Sequence, residues 1–480
     1  MSTMDSSMVN VALPVVMKTF HCSLALTEWV ILVYLLTITV LLLFWGKLCS
    51  IVGCGRVYSQ GMLVFTIGSF LCGIAPSVST LILFRFVQGL GASMMMATGP
   101  ALIKSIFPVD RLGRGLGLIG VATSLGLMTG PVLSGLLIHL LHWRAIFWVT
   151  VPVGLFFSIA GRTALTSLPV ENNSCTKLSF ANLLKRYNSD RTGAFLWAGV
   201  VTLTVLMVTH ASSVSSAGGL VTSTVFSAGI VFLAFCWICF LWYEGRLPAP
   251  FFPLALFGKR FFSMAVFSSM FSFAVLFIVL ILTPFYLDRI LGLTSDRIGY
   301  VMMAVPLFVF IVSPIAGRFH DLIGARIVAT GGLLCCLGSL LWLTTLTAES
   351  SALDVAIRLA LLGFGQAMFL SPNSASALAG VPEDQVGVTA SMLATARNFG
   401  MLTGAALAGL LFSLHFAAVT GGLDMKDFNP SMAGEFIFSL KRTFQYGLVI
   451  SSAAVLVSWL RQKPFLKGGT QNSGTDGQDR

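Results

Sequence analysis

The sequence predicts an all-α polytopic membrane protein with fourteen transmembrane helices. Three observations carry that reading. Of 480 residues, 56% are hydrophobic and only 10% are charged, where a soluble domain averages about 25% charged. The mean hydropathy is +0.90. The apolar runs are about twice the roughly ten-residue strands of a membrane β-barrel, and only helices and closed barrels satisfy the backbone in lipid. A soluble enzyme, a disordered chain and a disulfide scaffold are excluded.

A span needs about 20 apolar residues. In order, the expected spans are 3–18, 27–45, 57–75, 78–103, 115–139, 145–165, 193–209, 223–243, 261–287, 297–316, 327–347, 354–378, 387–415 and 443–460. An even number puts both termini on one side. Most of the 29 Lys and Arg fall in alternate loops, beginning with Lys47 and Arg56 and continuing with Lys104, Arg111 and Arg114. The positive-inside rule then makes both termini cytoplasmic. The net charge of +11 is a topology signal rather than a nucleic-acid footprint. The polar segment beyond the last span, 461–480, is expected to be a cytoplasmic tail.

The chain contains an internal repeat. Residues 107–137 match 381–411 at a constant offset of 274, with eleven of 31 positions identical. These include Pro108/Pro382, Asp110/Asp384, Gly126/Gly400, Gly130/Gly404 and Gly135/Gly409. Residues 46–57 (GKLCSIVGCGRV) match 317–328 (GRFHDLIGARIV) at an offset of 271, and Arg85 falls opposite Arg358. The matches keep their order, so two parallel six-helix repeats flank two inserted helices. The expected units are a first bundle over 1–165, a cytoplasmic loop over 166–192 and the inserted pair over 193–243. A cytoplasmic loop over 244–260 and a second bundle over 261–460 follow. Repeated halves around a central site are the architecture of alternating-access transporters.

The motifs follow the same order. Asp5, in MDSSMVNVALP (4–14), is a carboxylate placed inside a span; Glu28 lies at the mouth of the second. A charge at mid-bilayer costs about 2.5–3.5 kcal/mol on insertion scales, so it is rarely idle. The alternative is a cap on the first helix. Arg85 and Gln88, in LILFRFVQGLGA (81–92), are three apart and share a helix face. An Arg within a span faces the interior or a wet cavity, or else snorkels to the interface. In GLMTGPVLSG (126–135), Gly126, Gly130 and Gly135 let helices approach closely, and Pro131 bends the helix. Arg397 and Asn398 lie in the thirteenth span, as substrate contacts or helix-to-helix hydrogen bonds. Gln366, Asn373 and Tyr286 are further candidates.

Together these motifs resemble the major facilitator superfamily, and within it the fourteen-helix drug:proton antiporters of the EmrB/QacA type. The resemblance covers nearly the whole chain. It implies the major facilitator fold, proton-coupled export of lipophilic compounds across the inner membrane, and Asp5 as the proton-carrying acid with Arg85 and Gln88 nearby. It makes the helix-five glycines an antiporter motif. It makes Gly46, Gly53 and Arg56, with Gly317, Asp321, Gly324 and Arg326 in the second copy, cytoplasmic gate loops. Ser50 stands where the family carries the gate Asp. Only four residues precede Asp5, so the true start is expected upstream. Such relatives can work with a periplasmic adaptor and an outer-membrane channel.

Other signals carry little. Cys236 and Cys239 read CxxC inside a span, GLGLIG (115–120) lacks a nucleotide fold around it, and the Asn-Asn-Ser sequon (172–174) falls on the expected cytoplasmic side. No Walker A motif, metal cluster or nucleophile–base pair stands out, so no cofactor, metal or enzymatic activity is expected. The rival functions are a narrow-specificity metabolite carrier of the same fold and a transport-inactive membrane sensor or scaffold.

Overall fold

Turn residues and prolines decide where the helices break. The computed structural model describes residues 1–106, 112–166, 191–217, 220–247, 251–252, 254–381 and 386–461. Most of the expected 166–192 loop, the tail beyond Arg461, the sequon and the repeat residues Pro108, Asp110, Pro382 and Asp384 lie outside the described residues, as does the Ser50 side chain.

The first group of helices is α1 (Ser2–Phe20), α2 (Leu24–Val52), α3 (Cys54–Gly73), α4 (Val78–Ile106), α5 (Leu112–Leu140), α6 (Ala145–Trp148) and α7 (Thr150–Thr166). Then come α8 (Arg191–Ala217) and α9 (Leu220–Gly245). The last group is α10 (Arg260–Arg289), α11 (Ser295–Met302), α12 (Ala304–Ile323), α13 (Ala325–Leu343), α14 (Ala352–Ala379), α15 (Val386–Thr420) and α16 (Ala433–Trp459). Two of these boundaries interrupt a continuous rod. Helix α6 ends at Trp148, four residues before Pro152, and α11 ends at Met302, four before Pro306. A proline ring collides with the carbonyl four residues back, which breaks the expected spans 145–165 and 297–316 in two. Gly53 (φ 99°) and Gly324 (φ 86°) make the matching turns α2–α3 and α12–α13, in a region that L side chains rarely enter.

Among the described residues, ten helical stretches are long and apolar enough to cross a membrane, among them α2, α10 and α15, with α11–α12 counted as one. Helices α1, α3 and α16 fall short because polar residues dilute them, such as Asp5, Asn10 and Lys18 in α1. The α6–α7 rod gives only a shorter apolar stretch, Ala145–Ala160. Large apolar side chains stand exposed along the bundle, including Phe156, Ile159, Phe195, Val231 and Val449. A lipid surround explains such a belt, since a soluble monomer rarely exposes a large apolar patch.

The packing repeats with the sequence. In the first group α1 packs on α5, α2 on α4, and α3 on α4 and α7; in the last group α10 packs on α15, α12 on α14, and α13 on α14 and α16. Glycines set these contacts. A Cβ at Gly91 would fall 2.2 Å from the Phe65 backbone nitrogen, and one at Gly365 would fall 2.5 Å from the Gly332 carbonyl oxygen. The inserted pair α8–α9 lies against α2 and α15. Trp197 on α8 donates to the Thr39 carbonyl at 3.3 Å and lies within 6.4 Å, ring centre to ring centre, of Phe399 on α15. The insert therefore spans the seam between the two groups.

Candidate functional site

Asp5 sits in the first turns of α1 and Arg85 and Gln88 in the second turn of α4 and beyond, and the fold brings all three together. Arg85 Nη1 donates to Asp5 Oδ2 and to Gln88 Oε1, each at 2.5 Å. Gln88 Nε2 donates to Asp5 Oδ1 at 2.8 Å and to Ser69 Oγ at 2.7 Å. Arg85 Nε donates to the Val30 carbonyl of α2 at 3.1 Å. None of Asp5, Arg85 and Gln88 is more than 1% exposed. Both carboxylate oxygens thus have donors, the condition for burying a charge.

Neighbouring helices hold this triad in place. Gly68 lets α3 approach the backbone of α4 at Gln88; a Cβ there would fall 2.6 Å from Gln88 Cα. The Tyr34 ring lies under the Arg85 guanidinium at 4.1 Å and its hydroxyl donates to the Ser2 carbonyl at 3.1 Å. Cation–π contact and hydrogen bond therefore tie α2 to both α4 and the start of α1. Gly126 and Gly130 seat α5 on α1, where a Cβ at Gly130 would fall 2.9 Å from the Met4 carbonyl oxygen. Pro131 and Gly135 instead face α11: a Cβ at Gly299 would fall 2.4 Å from the Pro131 carbonyl oxygen, and one at Gly135 would fall 2.5 Å from that of Ser295. The sequence missed Tyr34, Ser69 and Phe147 around the guanidinium; only their helical register pointed inward.

Arg397 and Asn398 do not join the triad. Arg397 Nε donates to the Leu393 carbonyl and Asn398 Nδ2 to that of Ala394, both on α15 itself. Arg358, the repeat partner of Arg85, pairs with Asp354 one turn back on α14, at 2.7 Å. The last group has its own polar knot. Asn373 donates to Ser269 Oγ at 2.7 Å and to the Ala265 carbonyl at 3.1 Å, and accepts from Arg461 Nη2. Arg461, expected in the exposed tail, is buried, because Asn373 and Ser268 offer its guanidinium acceptors between α14 and α10. Gln366 accepts from Ser272 at 2.8 Å, and Tyr286 donates to the Thr347 carbonyl at 2.6 Å.

At the loop glycines, Gly46 lies near Ser391 of α15 and Gly317 near Ser371 of α14. Arg56 is exposed. Arg326 stacks over Trp459 at 4.3 Å. Asp321 is exposed and its partner is the adjacent His320, at 3.0 Å, so it makes no bridge between the groups here. Among the described residues, the contacts of basic with acidic side chains that do cross are the Lys18–Asp288 ion pair at 2.7 Å and the approach of His139 Nδ1 to Asp296 at 3.7 Å. Both lie at the opposite end of the bundle from Gly53. No cluster of three or more metal-ligating side chains occurs among the described residues.

The model of the family described as the Major Facilitator Superfamily matches residues 1–405. The chain belongs to that superfamily. It is 32% identical over 417 residues to the riboflavin transporter RibZ of Clostridioides difficile, covering 87% of this chain and 86% of RibZ. It is 30% identical over 416 residues to the multidrug resistance protein Stp of Mycobacterium tuberculosis, covering 86% of this chain and 74% of Stp. The multidrug transporter MdtP of Bacillus subtilis is 26% identical over 92% of this chain and 78% of its own length. Among solved structures, a peptide transporter POT superimposes with a TM-score of 0.65 at 16% identity, over 96% of this chain and 93% of that one. A bacterial homologue of the lysosomal transporter Spinster gives 0.64 at 14% identity, over 97% and 95%. These likenesses establish an all-helical major facilitator fold in a multi-pass membrane transporter.

Proposed function

We propose that this transporter is a proton-coupled exporter of lipophilic small molecules, of the fourteen-helix drug:proton antiporter type. It lies in the inner membrane with both termini cytoplasmic and works by rocking its two six-helix halves. The observation that carries the reading is the buried Asp5–Arg85–Gln88 triad. A membrane acid held against one Arg and one amide changes its local charge balance whenever a proton binds or leaves. It sits beside α5, whose glycines seat α1, so a change at Asp5 acts directly on the helix that faces the other half. The relatives Stp and MdtP, named for multidrug transport, support a broad substrate range. Among the described residues, fourteen helical rods, counting α6–α7 and α11–α12 as one each, are compatible with fourteen crossings.

Uptake of ethidium into inverted vesicles tests this. Uptake that collapses with a protonophore and is lost in Asp5→Asn supports the reading. Equal, gradient-independent signals from the native chain and the variant sink it. One finding favours a second reading, a narrow-specificity carrier: RibZ, a riboflavin transporter, is 32% identical to this chain. Saturable riboflavin transport in the same vesicles, with no ethidium signal, would select it.

A further inference from the structure

Glu28 is a second buried carboxyl group, and nothing in the triad uses it. It lies in the second turn of α2 and is 3% exposed. Its Oε1 has no hydrogen-bond partner. The carboxyl group rests on the backbone of Gly409 in α15: a Cβ at Gly409 would fall 1.6 Å from Oε2 and 2.2 Å from Cδ. Glu28 therefore fills the seam between the two halves, in space that only a glycine leaves open.

The internal repeat shows that packing alone does not require an acid there. The offset of 274 takes Gly135 to Gly409, and the offset of 271 takes Glu28 to Gly299. The other seam, α5 against α11, is formed by that very pair, Gly135 and Gly299, where a Cβ at Gly299 would fall 3.3 Å from Gly135 Cα. Two equivalent seams thus close differently. One brings glycine to glycine; the other brings glycine to a carboxyl group.

Among the described residues, no cation neutralises Glu28. On α4, Arg85 is committed to Asp5, Gln88 and the Val30 carbonyl. On α1, Asp5 is held in the triad and Lys18 pairs with Asp288. On α15, Arg397 donates to its own helix and His415 stacks on Tyr446. On α3, Arg56 is exposed at the far end, and on α8, His210 is exposed. Among the described residues no Lys, Arg or His nitrogen lies within ion-pair distance of Glu28. A buried carboxyl group without a cation or donors is stable as the neutral acid. Asp5 has both a cation and a donor, Arg85 and Gln88.

We infer that Glu28 is a second proton-binding group of this transporter, protonated while the α2–α15 seam is closed and exchanging its proton with water when the halves part. The inference rests on the proton-coupled reading above. The step breaks the carboxyl O–H bond, passes the proton to water and leaves the carboxylate hydrated; no electrons move. Proton exchange at Glu28 is thereby tied to the opening of a seam.

Dicyclohexylcarbodiimide tests this without a transport substrate, because it adds to carboxylic acids in apolar surroundings and leaves a stable N-acylurea. The full-length protein in lipid is treated in mildly acidic and mildly alkaline buffer, and the adduct is located by peptide mass spectrometry. The expected result is an adduct on Glu28 that falls several-fold as the pH rises. Glu28 unmodified across that range overturns the inference, whatever Asp5 does. Glu28→Gln, which mimics the neutral acid, is expected to fold and melt as the native chain does, yet to lose the pH dependence of ethidium uptake. An adduct on Glu28 in a chain that moves no ethidium under any gradient refutes the export reading and leaves the protonated acid standing.

Discussion

Arg85 places one nitrogen, Nη1, 2.5 Å from both Asp5 Oδ2 and Gln88 Oε1. A single donor group thus holds a carboxylate on α1 and an amide on its own helix, while Nε reaches α2. Three helices of the first half meet at one guanidinium.

That junction makes the two charges interdependent. Asp5→Asn and Arg85→Gln each strand a buried charged partner and are expected to lower the melting temperature of the detergent-solubilised protein. The double variant should recover part of the loss, with an interaction energy of about 0.5–3 kcal/mol. Strictly additive losses would mean that the two side chains do not share one site. Arg85→Lys is expected to rescue poorly, since an ammonium cannot serve Val30, Gln88 and Asp5 in the same fork.

The glycines of the repeat differ in how much room they leave. A Cβ at Gly404 would fall 2.2 Å from the Ala274 carbonyl oxygen, backbone that cannot yield, whereas one at Gly126 would meet the Thr3 hydroxyl at 3.1 Å. Gly404→Ala is therefore expected to destabilise by about 1–3 kcal/mol, as overpacking does. Gly126→Ala should cost less, because a side chain can turn away. Thermal melts of both variants decide it, and the reverse order would contradict the packing.

Trp197 fastens the inserted pair to both halves. It stacks on Phe252 at 5.2 Å, meets Trp237 at 6.2 Å and Phe399 at 6.4 Å, and hydrogen-bonds Thr39. Trp197→Ala should cost about 3–5 kcal/mol, and proteolysis between α9 and α10 should accelerate. Trp197→Phe keeps the stacking and should lose far less. Equal proteolysis rates for Trp197→Ala and the native chain would show that the insert is held elsewhere.

Cys49 and Cys54 bracket the α2–α3 turn with their sulfurs 2.7 Å apart. Peroxide is expected to close a disulfide there, two thiols and one peroxide giving one disulfide and two waters. Lys47 and Arg56 flank both cysteines, so a single tryptic peptide reports the loss of two hydrogens. Cys54→Ser should abolish the shift. A peptide that stays fully alkylatable after peroxide treatment would count against the geometry.

The repeat was the most informative part of the sequence. The glycines at 126, 130 and 135, and their copies at 400, 404 and 409, were legible as close-packing positions, and the structure gives each a backbone or carboxyl neighbour on another helix. What the repeat could not say was which helix each would face. Gly130 meets α1 of its own half, while Gly135, little more than one turn on, meets α11 of the other. The broken rods at Pro152 and Pro306 were hidden, because Pro14, Pro131 and Pro284 stay inside unbroken helices. In apolar surroundings, neighbouring helices decide whether a proline bends or breaks a helix. Arg397 and Asn398, both polar and within a span, donate to carbonyls of their own helix, a contact that residue type does not foretell.

By itself the sequence determined the all-helical membrane class, the duplicated halves, the glycine positions and the pair of candidate charges, Asp5 and Arg85. Those follow from composition, period and repeat, which are local properties of the chain. Only the tertiary structure decided that Asp5 is matched by Arg85, while among the described residues no cation is paired with Glu28. Charge balance inside a membrane depends on which side chains meet across helices dozens to hundreds of residues apart. Arg85 is 80 positions from Asp5, and Gly409 lies in the other half from Glu28, so neither relationship has a local signature.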